Sequence, residues 1–442
     1  MNWESISCKR LISLLTDYTA NGSFADLAKN VTYLDEGYAR LIRLTDLRVN
    51  MKNKGAYVSE NAYEYLKKSK LFGGEFLIAN VGAYAGFACK MPYVDYKATL
   101  APNMMMARFI DKLVNVDFII YAFNCPYVQY QLKIKADNTA AQPKINKDDF
   151  KTIKILIPPR NEQDQIVRYL DWKVSEINWL IAKKHMQHIN LTLYRIKLNN
   201  DLMNKVNGEY VRFKNVFSLR KGLSITKEDL RDEGVPCVNY GEIHSKFGFE
   251  INSDDVKKLK CVDESYLLNY PNALLKYGDF VIADTSEDIK CSGAFTYLNN
   301  HTETFAGYHT IIASSKIPIN HRFIAYYFDS EPYRLQIWRN VNGVKVYSIT
   351  QSILNNTLIK FPSEEDQNKI VSILDEKGEK IDFISNALLK EIDLLKEYRT
   401  RLISDVVTGK LDVGGVVVPE YEAVENVMGD EEMEEVEENL DE

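Results

Sequence analysis

"IPPRNEQDQIVRYL", residues 157–170, breaks from a β-branched run into a helical pattern through a proline pair, and "FPSEEDQNKIVSIL", residues 361–374, does the same 204 residues later. Sliding the chain by 204 sets Pro158 on Pro362, Gln163 on Gln367, Ile166 on Ile370, Val167 on Val371 and Leu170 on Leu374. The match extends downstream, where "LYRIKL" (193–198) falls on "EYRTRL" (397–402). It extends upstream too, where "GGEFLIA" (73–79) falls near "YGDFVIA" (277–283) and "FIIYAFNCPY" (118–127) resembles "FIAYYFDSEPY" (323–333). Self-similarity of this length means a duplicated unit.

Each copy has the same order: about 150 residues of mixed strand and turn signals, a short β-branched run, a proline, then a long charged helix. "TIKILIPP" and "NTLIKFP" supply the run. Proline has no N–H for a ladder and presets the backbone before a helix, so each junction reads as a strand-to-helix switch. In the second copy Ser363 with Asp366 is expected to form a capping box. The boundaries expected are a first mixed domain at 1–157, a long helix at 158–207, a second mixed domain at 208–361, a second helix at 362–413 and a disordered acidic tail at 414–442.

Leu374, Ile381, Leu388, Leu395 and Leu402 keep strict heptad spacing, with Ile370, Ile384 and Tyr398 in the companion row. The first helix answers with Leu170, Ile177, Leu191 and Leu198 in one row and Ile166, Leu180 and Tyr194 in the other, interrupted by Lys173, Lys184 and Gln187. Two matched stripes in one chain bury each other most simply as an intramolecular coiled coil, although each helix could instead be the last core helix of its own domain. The pattern does not set their direction. An antiparallel pair of roughly 65 Å would place the mixed domains at opposite ends with pseudo-twofold symmetry, and about two turns of B-DNA fit that length. The fold class expected is α+β, with two tandem mixed α/β domains, each followed by a long helix.

At 442 residues with 45% hydrophobic content the chain is long enough for two or three domains. No run of eighteen apolar residues offers a membrane span and "MNWESISCKR" lacks signal-peptide order, so a cytoplasmic location is expected. The six cysteines contain no C-x-x-C pair, which argues against a zinc ribbon or a disulfide framework. His185 and His188 lack a third ligand of recognisable spacing and read as solvated helix positions. The net charge of -7 hides an asymmetry: residues 419–442 carry 12 acids and no base, so the rest of the chain is +5. A mildly basic body is compatible with a nucleic-acid partner.

The junctions "IPPRNEQDQIVRYLDWKVSEI" and "FPSEEDQNKIVSILDEKGEKIDFI", with the closing "EYRTRLISDVVTGKLDV" (397–413), resemble the specificity subunit of Type I restriction-modification enzymes. The resemblance runs from near residue 1 to about 413. It implies two target recognition domains, each reading half of a bipartite, gapped DNA sequence. It also implies helices that set the spacing and dock methyltransferase subunits, two of them, with restriction subunits joining. The partners would then be double-stranded DNA and these subunits, without a membrane. No cofactor is expected in this chain; S-adenosylmethionine, ATP and Mg would belong to the partners.

Catalytic wording is absent or weak. "NCPY" (124–127) is one residue short of an adenine methyltransferase motif, and no G-x-x-x-x-G-K-S/T stretch exists for a motor. "DTSEDIK" offers Asp284, Asp288 and Lys290 as a weak metal-nuclease pattern. A coiled-coil protein scaffold remains the other alternative. Base reading needs Arg, Lys, Asn or Gln aimed into a groove. The candidates in the first domain are Arg40, Arg43, Lys52, Lys54, Asn80 and Tyr84. Those in the second are Asn239, Tyr240, Thr285, Ser286 and Lys290, with Arg339, Asn342 and Lys345 on a hairpin that Asn342-Gly343 would turn.

Overall fold

The computed structural model describes residues 3–136, 143–245, 248–341, 343 and 345–421. The Asn342 of the expected hairpin and residues 422–442 of the acidic tail lie outside them. The chain divides into two compact units, one formed by residues up to 185 and again from 389, the other by residues 186–388.

In the first unit an antiparallel sheet runs in the order Ile12–Asp17, Met104–Phe109, Phe76–Ala79, Ala88–Lys90. The run "FLIA" is buried along its whole length, as a central strand covered on both faces requires. A second sheet is built around Ala39–Ile42, which pairs in parallel with Ala98–Leu100. The second unit repeats the plan. Its larger sheet is ordered Phe217–Lys221, Thr310–Ser315, Phe280–Ala283, Phe295–Leu298, Glu250–Ile251, again around a fully buried run, "FVIA". Its smaller sheet pairs Val235–Val238 in parallel with Phe305–Ala306.

Each junction is a short ladder followed by the helix. Glu4–Ser7 pairs with Lys154–Ile157, and Glu209–Arg212 with Leu358–Phe361. The glutamine five residues past each first proline closes the turn. Gln163 Nε2 donates to Pro158 O at 2.9 Å and Gln367 Nε2 to Pro362 O at 3.0 Å. Gln163 is fully buried and also accepts from Asn115 N at 2.7 Å, which ties the helix start to the mixed domain. At the second start Ser363 Oγ accepts from Asp366 N at 3.2 Å but gives its hydroxyl proton to the Asp366 carboxylate. The expected box is therefore closed on one side only.

The long helices are Arg160–Lys205 and Glu364–Val407. Inside the first unit Asn178 bonds Arg399 and Lys184 pairs with Glu391; inside the second, Arg195 Nη1 lies 2.7 Å from Asp382 Oδ1. One partner's number falls as the other's rises, so the helices run antiparallel. In the first unit Ile166, Leu170 and Ile177 share a core with Ile392, Leu402 and Val406; in the second, Leu198 and Met203 pack with Ile370 and Leu374.

The seam departs from the expected one by a single residue. Leu180 is 39% exposed, and Ile181 is buried in its stead. On the second helix Leu374, Ile381, Leu388, Leu395 and Leu402 face inward to varying depth, with Leu388 and Leu395, like Leu191, partly covered. The companion row, however, is Gly378, Ser385, Ile392, Arg399 and Val406, while Ile384 and Tyr398 are exposed. Choosing apolar residues alone missed it because small side chains fill two of its positions. His185, expected in solvent, is buried as well.

Candidate nucleic-acid interface

In the first unit the chain leaves Ala39–Ile42 and enters the short helix Leu44–Arg48. Asp46, fully buried, organises this corner. It accepts from Arg43 Nε at 3.0 Å, Arg43 Nη2 at 2.9 Å, Arg43 N at 2.8 Å and Asn53 Nδ2 at 2.7 Å. Burial alone would raise the Asp46 pKa, and these bonds from Arg43 and Asn53 more than reverse that, holding it below the usual carboxylate value. The hydrogen-bonded Asp46 in turn raises the Arg43 pKa. Arg43 thus presents a fixed guanidinium while its side chain stays 41% exposed.

Arg40, expected to read bases, is an internal brace. It is buried, and its guanidinium donates to Met51 O and Asn53 O, both at 3.2 Å, and to Asn53 Oδ1 at 2.8 Å. Lys52 and Lys54 are exposed on the same loop, Lys54 lying 3.6 Å from Asp35. The second segment follows strand Phe76–Ala79. Asn80 donates its N–H to Asn103 O at 3.0 Å and accepts at its carbonyl from Ile145 N at 2.9 Å, and Val81 bridges Lys144. Tyr84 is 47% exposed, with the Arg48 guanidinium 4.2 Å above its ring. The loops at 43–54 and 80–86 therefore meet through Arg48 and Tyr84.

The second unit builds the same corner with other side chains. After Val235–Val238, Asn239 N donates to Glu242 Oε2 at 3.0 Å, as Arg43 N does to Asp46. Its side chain, however, is fully buried, with Oδ1 accepting from Tyr308 N at 3.2 Å, so Asn239 supports the loop and does not reach a base. Tyr240 is half-buried, its ring edge-on to His244, Tyr308 and His309. His244 Nε2 sits 3.1 Å from Thr285 O and occupies the place Arg48 holds in the first copy. Thr285 is half-buried and donates to Asp284 Oδ1 at 2.7 Å. Ser286 is buried and bonds Asp288 O at 2.6 Å, which removes it too from the readers. Lys290, Arg339 and Lys345 are exposed.

Asn342 in the turn of the expected hairpin lies outside the described residues, and the hairpin's described flanks make other contacts. Arg339 ends the helix Glu331–Trp338, and Tyr347–Ser348 pairs with Thr285–Ser286, a partner far earlier in the chain. Trp338 Nε1 also donates to Ser292 O at 3.1 Å, so the 285–293 loop and the 338–348 segment are stitched together. Asp284 accepts from Thr285 and faces His309, Asp288 accepts from Lys290 N, and among the described residues no group of three or more His, Cys, Asp or Glu side chains converges on a metal position. Sequence reasoning missed Arg48, Asn103, Lys144, His244, His309 and Ser348. The 204-residue shift that sets Lys144 on Ser348 would have found two of them.

Comparison with known proteins fits this doubled geometry. A family model, the Type I restriction modification DNA specificity domain, matches residues 27–187 and again 205–394. The Type I restriction enzyme MjaVIII specificity subunit of Methanocaldococcus jannaschii is 26% identical over 311 residues, spanning 65% of this chain and 70% of that protein. A chain from a structural study of assembly and conformational transition of the type I R-M system superposes with a TM-score of 0.69 at 14% identity, covering 92% of this chain and 98% of the other. The HsdS subunit from Thermoanaerobacter tengcongensis gives 0.50 at 15% identity, covering 92% and 97%. At these identities the structural likeness is one of fold.

Proposed function

Because the chain belongs to the family of Type I restriction-modification DNA specificity subunits and carries its domain twice, we propose that each unit reads one part of a bipartite, gapped duplex target. The chain is a non-catalytic specificity subunit. The observation that carries the two-part reading is the repeated corner: helix entry, loop after the central strand and the segment before the long helix meet in both units, with different side chains in each. Exposed Arg43, Lys52 and Lys54 in one unit and Lys290, Arg339 and Lys345 in the other supply the cations that phosphate contact needs.

The outward faces of the long helices would dock methyltransferase subunits. Leu180, Leu394 and Tyr398 in the first unit, and Ile196, Phe383 and Ile384 in the second, are among the exposed apolar residues on these helices. Restriction subunits would join that assembly in the cytoplasm. S-adenosylmethionine, ATP and Mg would serve those partners. None of the described helices is long and apolar enough to cross a membrane.

Titrating salt against binding of the purified chain to a random-sequence duplex pool tests the DNA role. Weak association is expected, with log affinity falling linearly in log salt as phosphate counterions are released, and with sharpened selectivity once methyltransferase is added. Absence of any association at low salt, with methyltransferase present, would contradict it.

A further inference from the structure

The two corners share a backbone and differ in chemistry. Asn80 N donates to Asn103 O and Ile145 N to Asn80 O; Asp284 N donates to His309 O at 3.0 Å and Ile349 N to Asp284 O at 2.8 Å. Val81 bridges Lys144 as Thr285 pairs with Ser348. Asn103 and His309 are both left-handed, at φ 65° and 55°. Constant main-chain bonds hold these four side chains at equivalent places while their identities change from Asn and Asn to Asp and His. A surface that must read two unlike sequences from one fold needs that combination.

His309 Nδ1 lies 3.2 Å from Asp284 Oδ1 and 3.3 Å from Thr285 Oγ1, its ring edge-on to Tyr240 at 5.4 Å, and its side chain is 56% exposed. A carboxylate repels phosphate, so Asp284 is ill suited to backbone contact and well suited to fixing the imidazole. Donation of Nδ1–H to Asp284 leaves Nε2 as an acceptor on the opposite side of the ring. In the first unit Asn80 Oδ1, buried, finds no partner among the described residues. Resting on the specificity-subunit reading, we propose that His309, fixed by Asp284, and Asn103 at the equivalent place in the first unit are specificity-determining residues, with His309 Nε2 accepting from the exocyclic amine of adenine or cytosine in the major groove.

The test uses the full chain in complex with its methyltransferase subunits on a randomised duplex pool, read by sequencing the methylated molecules. His309→Asn and Asp284→Asn give the second unit the first unit's residues; asparagine adopts left-handed backbone readily, so the fold is retained. Each variant is expected to change the preferred base at one or two positions in one part of the motif and to weaken the original target about 10- to 100-fold. The other part and the gap stay fixed, and Asn103→His changes only that other part. A wild-type motif in all three variants, or a loss spread evenly over all sequences as a phosphate contact would give, overturns the proposal. A wild-type complex yielding no gapped motif overturns the specificity-subunit reading itself.

Discussion

Replacing Asp46 with alanine is expected to destabilise the first unit by about 3–5 kcal/mol, the cost of removing one member of a buried charge pair. The loss is large because Asp46 serves three neighbours: it anchors Arg43 through two side-chain bonds, holds Asn53, and lies 3.6 Å from the buried Arg40 guanidinium. Without it Arg40 keeps its carbonyl acceptors but no anion. Chemical unfolding of the full chain reads the stability. The motif of the assembled complex reads the function, and only one of its two parts should relax.

The same carboxylate makes a pH prediction. Its folded pKa lies below that of the unfolded chain, so its contribution is complete above the ordinary aspartate value of about 3.9 and is lost as pH falls through the folded value. Acidification from pH 6 toward 3 should therefore cost the wild type stability that Asp46→Asn does not lose further. Equal acid sensitivity of the two proteins, or unchanged unfolding of Asp46→Ala, would count against this role.

A second large effect is expected for Ile392→Asp. Ile392 is 2% exposed in a core with Ile177, Ile181, Leu402 and Val406. Desolvating a carboxylate among those side chains costs several kcal/mol. The helix pair of the first unit should come apart, lowering the melting temperature and abolishing co-purification with methyltransferase. Leu394→Asp, two residues on and 55% exposed, is the control. It should leave melting unchanged while reducing partner capture, because it alters only the outward face. Native melting of Ile392→Asp would contradict the antiparallel seam.

Much of the fold is legible in sequence because the strand-to-helix junction has few chemical solutions. Proline ends a ladder, and a glutamine reaching back to its carbonyl closes the turn, so Pro158 with Gln163 and Pro362 with Gln367 repeat visibly. The heptad row from Leu374 to Leu402 is equally plain. Its companion is not, since Gly378 and Ser385 qualify through small size, which hydropathy does not score. The side-chain chemistry of the two corners is far less legible. Polar type does not reveal burial: Arg40, Asn239 and Ser286 look like surface readers and are internal supports. Long-range pairing was hidden too, because the partner of Tyr347–Ser348 is set by tertiary structure and not by the Asn342-Gly343 signal beside it.

The most direct measurement is a map of methylated adenines in host DNA, by single-molecule sequencing, with this gene present and deleted. Loss on deletion of one bipartite motif with an unread gap is the result expected of a chain whose two units each read one part. An unchanged map, with the partner methyltransferase shown to be expressed, would contradict it.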